Sequence, residues 1–265
     1  MIIETLSTFP NMYDSVMGSS MMKRAQDKGI LDFTAYDLRD WTHDRHRTTD
    51  DDPYGGGLGL VMKCEPIFEA FCAIAGVELG IDAPKVTGNE QPLTGPAPRH
   101  ADGVKPKTIF LTPCGRQFDD DMACELSREE RLLFICGHYE GIDERAYELA
   151  DYQISLGDYV LTSGELASMI VIDAVVRKLD GVLGAEGGAE EESFAQGLLE
   201  FPQYTRPADF MGRKVPDVLL SGNHAAVDAW RRQMSLLRTR DLRPDLLEVA
   251  NLNEDDLNFL KTRPE

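Results

Sequence analysis

The sequence has few cysteines, no long apolar run and no basic leader, and each of these absences excludes a class of protein. Its five cysteines form no C-x-x-C pair, which argues against both a disulfide framework and a zinc ribbon. No stretch approaches the roughly 20 consecutive apolar residues that a membrane-spanning helix needs, so we expect no membrane association. The first residues lack a basic segment followed by an apolar run, and we therefore expect a cytoplasmic protein without a secretory signal.

Basic residues are also scarce, because 27 lysines and arginines face 46 acidic residues and the net charge is −19. A strongly acidic chain argues against a nucleic-acid partner. The charge is unevenly distributed, however: residues 119–200 hold 20 acidic and 5 basic residues, whereas residues 206–243 hold 8 basic and 4 acidic residues. Because the local field steers a polyanion, the charge permits an RNA partner but does not by itself indicate one.

The first part of the chain alternates between strand-like and helix-like segments. Short apolar runs such as KTIFLT and LLFIC are typical of buried parallel strands, although periodicity alone does not separate them from buried helix. Since strand–helix alternation implies a parallel sheet, we expect an α/β fold. The predicted strands cover residues 2–9, 32–38, 107–112 and 132–136, and the predicted helices cover residues 12–28, 65–79 and 162–179.

Changes in composition divide the chain into domains. We predict a first domain over residues 1–183, in which the glycine- and proline-rich residues 80–106 form a surface insertion. Residues 184–196 (GAEGGAEEESFAQ) are rich in glycine and glutamate and are predicted to be an exposed interdomain linker. Residues 197–265 are predicted to form a small helical domain, with helices at residues 225–237, 243–250 and 255–261.

A run of three glycines, Gly55 to Gly57, lies in the segment DDDPYGGGLGL. Consecutive glycines allow positive φ and a close approach of the backbone to a ligand. The run is neither a P-loop nor a dinucleotide fingerprint, because no Gly-Lys-Ser/Thr follows and Met62 stands where the last glycine would be. A flexible surface loop is an equally good interpretation. Nearby, His43 and His46 have no evident third ligand, so we predict no metal site.

Three turn-forming segments follow predicted strands or precede a helix: LTPCG, CGHYEGIDER and SLGDYVLTSGEL. Ligands bind beside the carboxyl ends of strands in an open α/β sheet. Any one of these segments is consistent with an ordinary turn, but the three together favour a pocket. Backbone groups of Gly157 to Tyr159 suit the edge of an adenine, with an apolar rim from neighbouring side chains. Capping of the next helix by Asp158 is the alternative.

The local sequence pattern alone does not assign a function to two charged residues, Arg177 and Glu192. Arg177 ends an apolar helix, where a cation interacts favourably with the helix dipole. Glu192 ends a run of acids that is typical of a solvated linker. Farther along, Tyr204, Trp230 and several arginines mix aromatic and basic character, which suits RNA. An amphipathic helix with a polar face produces a similar pattern.

Taken together, these segments resemble the bacterial tRNA (guanine-N1)-methyltransferases of the TrmD type. Each stretch alone is weakly specific, but all occur in the family's order and span nearly the whole chain. The matching stretches are LRDWTHDRHRTTDDDPYGGG, CGHYEGIDER, GDYVLTSGEL, GLLEFPQYTRP, VLLSGNH and SLLRTRDLRPDLL.

The resemblance implies a SPOUT-type α/β domain, a parallel sheet with a deep trefoil knot, followed by a helical tRNA-binding domain. It further implies a homodimer that transfers a methyl group from S-adenosyl-L-methionine to N1 of the guanine immediately 3′ of the anticodon in tRNA. Two alternatives remain open, namely a SPOUT methyltransferase for a different RNA base and a catalytically inactive protein that binds the cofactor or RNA. The sequence does not indicate Mg²⁺ and leaves its participation open.

The resemblance also implies roles for individual residues. Glu192 would be the general base and Arg177 its electrostatic helper. The chain departs from the family pattern at Glu192, where Asp is usual, and at Cys114, where Gln is usual. The residues implied to bind the cofactor are Pro113, Gly115, Gly137, Tyr139, Glu140, Gly141, Leu156, Gly157, Asp158, Tyr159, Val160 and Leu161, and those implied to bind the substrate are Asp52, Tyr54, Gly55, Gly56 and Gly57.

Overall fold

The computed structural model describes residues 1–77, 98–100, 103–183 and 192–262. The chain divides into two compact units, Met1–Leu183 and Gly184–Glu265. Most of the insertion predicted at residues 80–106 lies outside the described residues, and so do residues 184–191 of the predicted linker. Among the described helices, none is both long enough and apolar enough to cross a membrane.

The first unit is built on a sheet of five parallel strands, in the order β2-β1-β6-β5-β7, and a separate antiparallel pair, β3 and β4. The parallel sheet confirms the α/β class predicted from strand–helix alternation. The strands of this unit are β1 (Ile2–Ser7), β2 (Asp32–Asp37), β3 (Asp50–Asp51), β4 (Val61–Met62), β5 (Lys107–Gln117), β6 (Arg131–Ile135) and β7 (Tyr152–Ser155).

Helices cover both faces of this sheet. Three short 3-10 segments accompany them, at Pro10–Tyr13, Leu38–Trp41 and Glu144–Leu149. The α-helices of the unit are α1 (Asp14–Met17), α2 (Ser20–Asp27), α3 (Cys64–Ala75), α4 (Asp120–Leu126) and α5 (Gly164–Val176).

Strand β6 shows why the sheet is buried on both faces. All five of its residues are buried, and successive side chains of a strand point to opposite faces. Leu132 and Phe134 join the apolar cluster that contains residues of α2, α4 and α5. Leu133 and Ile135 join the cluster that contains residues of α3. Four successive apolar residues, Leu132 to Ile135, that alternate between the two faces therefore fit the centre of a two-sided parallel sheet.

The single helix predicted for residues 12–28 is wrong, because the chain forms two helices that are separated at Gly18. The N–H of Gly18 closes the turn of α1 onto the carbonyl of Asp14. A Cβ at this position would lie only 2.6 Å from that oxygen, so the close turn requires glycine. The predicted end of the helix is confirmed, because α2 ends at Asp27 and Gly29 follows with φ of 70°.

Strand β5 is longer than the predicted strand at residues 107–112. Both Leu111 and Arg116 pair with Ile154 of β7, so residues 112–115 loop out of an otherwise continuous strand. The segment LTPCG was predicted to be a turn after the strand, and it is instead a bulge within it. Strand β7 and helix α4 were not predicted.

The described residues of the second unit are mostly helical and also form one β-hairpin. The helix predicted at residues 225–237 is confirmed and extends five residues farther. Leu236 and Thr239 of this helix are buried, and the hydroxyl of Thr239 accepts a 2.9 Å hydrogen bond from the N–H of Leu199. The elements are β8 (Asp209–Phe210), β9 (Arg213–Lys214), α6 (Asp217–Leu220), α7 (His224–Leu242), α8 (Pro244–Val249) and α9 (Glu254–Thr262).

A fully buried ion pair joins β6 to β1. Nε of Arg131 donates to Oε2 of Glu4 at 2.7 Å, and both side chains are fully buried. The remaining guanidinium nitrogens of Arg131 donate to the carbonyl oxygens of Ile74, His100 and Val104 at 2.7 to 3.0 Å. The hydroxyl of Tyr36 donates to the other oxygen of Glu4. Both charges are therefore satisfied inside the protein.

Replacing Arg131 with Met should lower the free energy of unfolding by about 3–5 kcal/mol, since it leaves the Glu4 carboxylate buried without its cation. Urea denaturation followed by far-UV circular dichroism measures this loss. Lys23→Met is the matched control, because Lys23 pairs with Asp27 at a surface where both side chains are 57% exposed. The control should change stability by no more than about 0.5 kcal/mol. An equal effect of the two substitutions would contradict the structural role of Arg131.

Candidate functional site

A cavity of about 390 Å³ lies at the carboxyl edge of the sheet. Its walls come from the bulge in β5, from the segment after β6 and from the segment after β7. These three strands are neighbours in the sheet, so the segments at their carboxyl ends converge. Cavities that hold small molecules have volumes of about 300–1,000 Å³, and the carboxyl edge is where open α/β sheets bind ligands.

The bulge of β5 brings Gly115 directly against the backbone of β7. A Cβ on Gly115 would lie 2.5 Å from the carbonyl carbon of Gln153 and from the nitrogen of Ile154. No side chain fits at that distance, and the atoms in contact are backbone atoms that cannot rotate away. Glycine at this position therefore allows the bulge to fold back onto β7, while Pro113 and Cys114 face the cavity.

The start of α5 makes an equally close contact with the end of β6. The N–H of Gly164 donates to the carbonyl of Gly137 at 2.7 Å. A Cβ on Gly164 would lie 2.7 Å from the nitrogen of Gly137 and 3.0 Å from Cα of Cys136. This glycine therefore sets how closely the helix approaches the sheet, and both residues of the contact line the cavity.

The segment between β7 and α5 presents unpaired backbone groups. Within the described residues, the backbone groups of Asp158, Val160 and Leu161 make no hydrogen bond. The side chain of Val160 is 85% exposed. Ser163, not Asp158, is the N-cap residue of α5, so the capping role considered for Asp158 is excluded. Free donors and acceptors beside apolar side chains suit the edge and face of a heterocycle.

Two buried polar atoms of cavity-lining residues also lack partners among the described residues. They are Nδ1 of His138 and Oγ of Ser163. Buried polar atoms are almost always hydrogen-bonded in folded proteins. Their presence in the wall of a cavity therefore indicates that a polar ligand or ordered water completes the site.

The structure brings together ten of the twelve residues that the resemblance assigned to the cofactor. Gly115 and Asp158 do not line the cavity, although both lie in chain segments whose neighbouring residues do. Several lining residues were not predicted, including Tyr147, Ser163 and Gly164. The placement of Gly164 between a turn-forming segment and an apolar helix was the available signal for a close contact. The ten are Pro113, Gly137, Tyr139, Glu140, Gly141, Leu156, Gly157, Tyr159, Val160 and Leu161.

The predicted substrate residues lie in the loop between β3 and β4. Asp52 and Tyr54 line a second cavity of about 870 Å³, and Tyr54 is fully exposed. The three glycines line neither of these two cavities. The loop adjoins the first cavity, since the N–H of Glu140 donates to the carbonyl of Leu60, and the N–H of Met62 donates to that of Gly141.

An ion pair and shifted pKa values determine which groups near the second cavity are charged. Arg145 donates to both carboxylate oxygens of Asp143, at 2.9 and 2.6 Å. This contact holds the pKa of Asp143 well below its usual range, so the carboxylate stays ionised at neutral pH. Burial, followed by the hydrogen bond to Asp143, raises the pKa of Cys64 to about 12. Burial and the nearby Asp50 also raise the pKa of Tyr139. Both groups are therefore neutral near pH 7.

The two predicted catalytic residues belong to different units. Arg177 is the C-cap residue of α5 in the first unit, and its N–H donates to the carbonyl of Asp173. Glu192 belongs to the second unit and lines a small cavity of about 190 Å³ together with Asp228, Arg231 and Arg232. The carbonyl of Glu192 accepts a hydrogen bond from the N–H of Ala195, so this part of the chain forms a turn.

Metal-binding geometry is not found in the part of the chain that the structure describes. No group of three or more His, Cys, Asp or Glu side chains there is placed to hold a metal ion. Nε2 of His43 instead lies 2.7 Å from a carboxylate oxygen of Glu69. His46 donates its backbone N–H to Asp44, whose pKa is lowered to about 2, chiefly by the backbone N–H of Thr48.

A five-stranded parallel sheet with a glycine-walled cavity at its carboxyl edge defines an α/β protein with a candidate small-molecule site beside its strand ends. Residues 1–249 match the family model described as tRNA (Guanine-1)-methyltransferase TrmD. The chain therefore belongs to this family and is a methyltransferase that modifies tRNA.

Curated relatives agree with the family assignment. The chain is 47% identical over 260 residues to a protein of Desulforudis audaxviator, with 98% of this chain and 95% of the relative covered. It is 48% identical over 261 residues to a protein of Limosilactobacillus fermentum, with the same coverage. It is 49% identical over 257 residues to a protein of Carboxydothermus hydrogenoformans, with 97% and 91% covered. All three are named tRNA (guanine-N(1)-)-methyltransferase.

Gly115→Ala should destabilise the first unit, because the new methyl group overlaps the backbone of β7. Insertion of a methyl group into a closely packed site lowers stability by about 1–3 kcal/mol. Thermal unfolding followed by circular dichroism measures the change. Gly57→Ala is the matched control, since its Cβ would meet only a side-chain atom of Pro53 at 3.4 Å. Equal melting temperatures for Gly115→Ala and the parent protein would contradict the close contact.

Proposed function

We propose that this protein transfers a methyl group from S-adenosyl-L-methionine to N1 of the guanine immediately 3′ of the anticodon in tRNA. The observation that carries the proposal is the cavity at the carboxyl edge, where ten residues expected to bind the cofactor lie together. Membership of a tRNA (guanine-1)-methyltransferase family supports the choice of reaction.

The residues of the cavity fit this cofactor. Unpaired backbone groups of Val160 and Leu161 suit the edge of the adenine, and the apolar side chains beside them suit its face. The partnerless atoms of His138 and Ser163 suit the hydroxyl, amino or carboxylate groups of the rest of the molecule. Bound there, S-adenosyl-L-methionine would supply a methyl group that its sulfonium already activates. The cavity walls would then align that group with the incoming base.

Glu192 is proposed to act as the general base. Guanine N1 carries a proton at neutral pH and is a poor nucleophile until that proton is removed. A carboxylate held within hydrogen-bonding distance can take the proton as the new bond forms. Asp is usual at this position of the family, and Glu192 retains the carboxylate on a chain that is one methylene longer.

Arg177 is proposed to stabilise the charge that this proton transfer creates. Removal of the N1 proton moves negative charge towards O6 of the guanine. A guanidinium that is already in place stabilises such charge without reorganising during the reaction. The position of Arg177 at the end of a long buried helix supports this role, because the helix holds the start of its side chain in a fixed position.

The family resemblance also supports proposals about architecture. We expect the bulge of β5 and the segments after β6 and β7 to be parts of a deep trefoil knot. The helical residues 197–265 are proposed to bind tRNA, and residues 184–196 to link them to the first domain. Neither assignment requires a bound metal ion, and the proposal does not include Mg²⁺.

Exposed apolar side chains on α5 support a homodimer. Leu166 and Ile170 are one helical turn apart and are 40% and 52% exposed. Val160, in the segment that precedes the helix, is also exposed. Exposed apolar side chains one turn apart on a helix suit an interface, and a second copy of the chain with two-fold symmetry would cover them.

The proposed function is tested by transfer of labelled methyl from S-adenosyl-L-methionine to a tRNA transcript with guanine 3′ of the anticodon. The control transcript carries adenine at that position. Label in the guanine transcript alone is the expected result. Label in both transcripts would favour a different target base, and cofactor binding without any label would favour the catalytically inactive alternative.

Glu192→Gln should retain cofactor affinity and lose about 10²- to 10⁴-fold in turnover, because the amide cannot accept the N1 proton. Single-turnover methyl transfer and isothermal titration with S-adenosyl-L-methionine measure the two quantities. Glu192→Asp is the matched control, since it restores the residue that is usual in the family and should retain activity. Normal turnover in the Gln variant would remove Glu192 from the mechanism.

Arg177→Ala should slow methyl transfer by about 10²- to 10³-fold, as expected when a group that stabilises developing negative charge is removed. Its cofactor affinity should stay within about twofold of the parent value, because Arg177 does not line the cavity. A twofold change corresponds to only about 0.4 kcal/mol of binding free energy. Arg177→Lys retains the charge and should recover part of the rate. Weakened cofactor binding with an unchanged rate per bound complex would instead assign Arg177 to the cofactor site.

A further inference from the structure

The second unit carries a short hairpin whose geometry is fixed by its own turn. Strands β8 and β9 pair Asp209 with Lys214 and Phe210 with Arg213. The two residues between them, Met211 and Gly212, have φ of 56° and 79°. Positive φ at both positions defines the type I′ turn that matches the twist of paired strands. The Asp209 carboxylate accepts the N–H of Gly212 at 2.9 Å, so the tip is held in one conformation.

Apolar side chains at the tip of this hairpin are left largely exposed by the described residues of the unit. Every residue from 203 to 214 is exposed. Phe210 is 58% exposed and Met211 is 80% exposed. A two-stranded hairpin alone is only marginally stable in water, and these side chains add nothing to its core. Adjacent apolar residues that are exposed at a fixed tip are typical of a binding contact.

The hairpin also carries cations that have no acidic partner. Within the described residues, Arg206, Arg213 and Lys214 form neither an ion pair nor a hydrogen bond through their side chains. The carboxylates nearest to them in sequence are those of Asp209 and Asp217. Asp209 accepts the N–H of Gly212 in the turn, and neither carboxylate forms an ion pair within the described residues. These three positive charges are therefore available to an anion in solution.

The four arginines of α7 and Arg243, which follows this helix, differ from the hairpin cations because each of them has a partner in the unit. Four of the five are within 4 Å of a carboxylate, and the fifth donates to a backbone carbonyl. Their charge is therefore largely neutralised inside the unit, although the sequence alone placed all these cations together as one basic segment. The pairs are Arg231–Asp228, Arg232–Asp256, Arg240–Asp241, Arg243–Asp245 and Arg238 with the carbonyl of Glu200.

We propose that the β8–β9 hairpin binds an unstacked base of tRNA and its adjoining phosphates. Phe210 and Met211 would pack on the face of the base, and Arg206, Arg213 and Lys214 would contact the phosphates. Proteins bind single-stranded regions of RNA in this way, with aromatic side chains for the bases and cations for the backbone. The proposal rests on the proposed function only in taking tRNA as the RNA that is bound.

The test measures the affinity of the full-length protein for a tRNA transcript by fluorescence anisotropy, separately from methyl transfer. Phe210→Ala/Met211→Ala should weaken tRNA binding by about 5- to 100-fold, the range found when one stacking contact is removed. Arg213→Gln/Lys214→Gln should reduce the slope of log affinity against log salt by about 1 to 2, because about 0.7 counterions are released for each phosphate neutralised on a single strand. Affinity for S-adenosyl-L-methionine should not change in either variant.

Matched controls come from the same unit. Leu242→Ala/Val249→Ala removes apolar side chains that are 63% and 81% exposed, and Lys261→Gln removes an exposed cation on α9. These variants should bind tRNA like the parent protein. Equal losses in the controls would overturn the assignment to the hairpin, because they would show a general effect of surface hydrophobicity or charge.

The outcomes separate this inference from the proposed function. If the parent methylates tRNA and both hairpin variants bind it unchanged, the inference alone fails. If the parent methylates no tRNA but the hairpin variants lose affinity, the proposed function alone fails. A parent that binds no tRNA overturns both. A change in molecular mass by light scattering, with tRNA affinity unchanged, would instead assign the hairpin to contact between copies of the chain.

Discussion

The lack of space for a side chain at Gly115 and Gly164 governs the geometry of the cavity. At each position a backbone lies against another backbone at a distance that excludes even a methyl group. One contact holds the bulge of β5 onto β7, and the other holds the start of α5 onto the end of β6. The strand ends that would otherwise be separate turns therefore become the walls of one site. Side chains provide the chemistry of that site, but the backbone contacts determine where it is.

Much of the fold follows from apolar patterning. The runs KTIFLT and LLFIC indicate buried parallel strands, and β6 has this role at the centre of the sheet. The patterning fails where a strand is short or interrupted. Strand β7 has only four residues and two of them are not buried, so it has no apolar run. The glycine and proline in LTPCG indicate a loop, and only the pairing with β7 reveals that the strand resumes after it.

The candidate site was partly predictable from turn-forming residues and family likeness, whereas the fold was predicted from apolar patterning. Turn-forming residues after consecutive strands indicated a pocket, and their likeness to a known family indicated its ligand. The sequence did not single out His138 and Ser163 as ligand-binding residues, because a buried polar atom without a hydrogen-bond partner can be recognised only in the structure. The hairpin β8–β9 was missed because its strands have two residues each and no alternation. The Met-Gly pair at its tip is a weaker turn signal than Asn-Gly or Asp-Gly.

The buried guanidinium of Arg131 has a consequence for how this protein tolerates changes of length. It is bonded to the carbonyl of Ile74 on one side of residues 78–97 and to those of His100 and Val104 on the other. Both ends of the intervening chain are thereby attached to one side chain at the amino end of β6. A change of chain length between residues 78 and 97 would therefore leave both of these attachments in place, because every group that forms them lies outside that range.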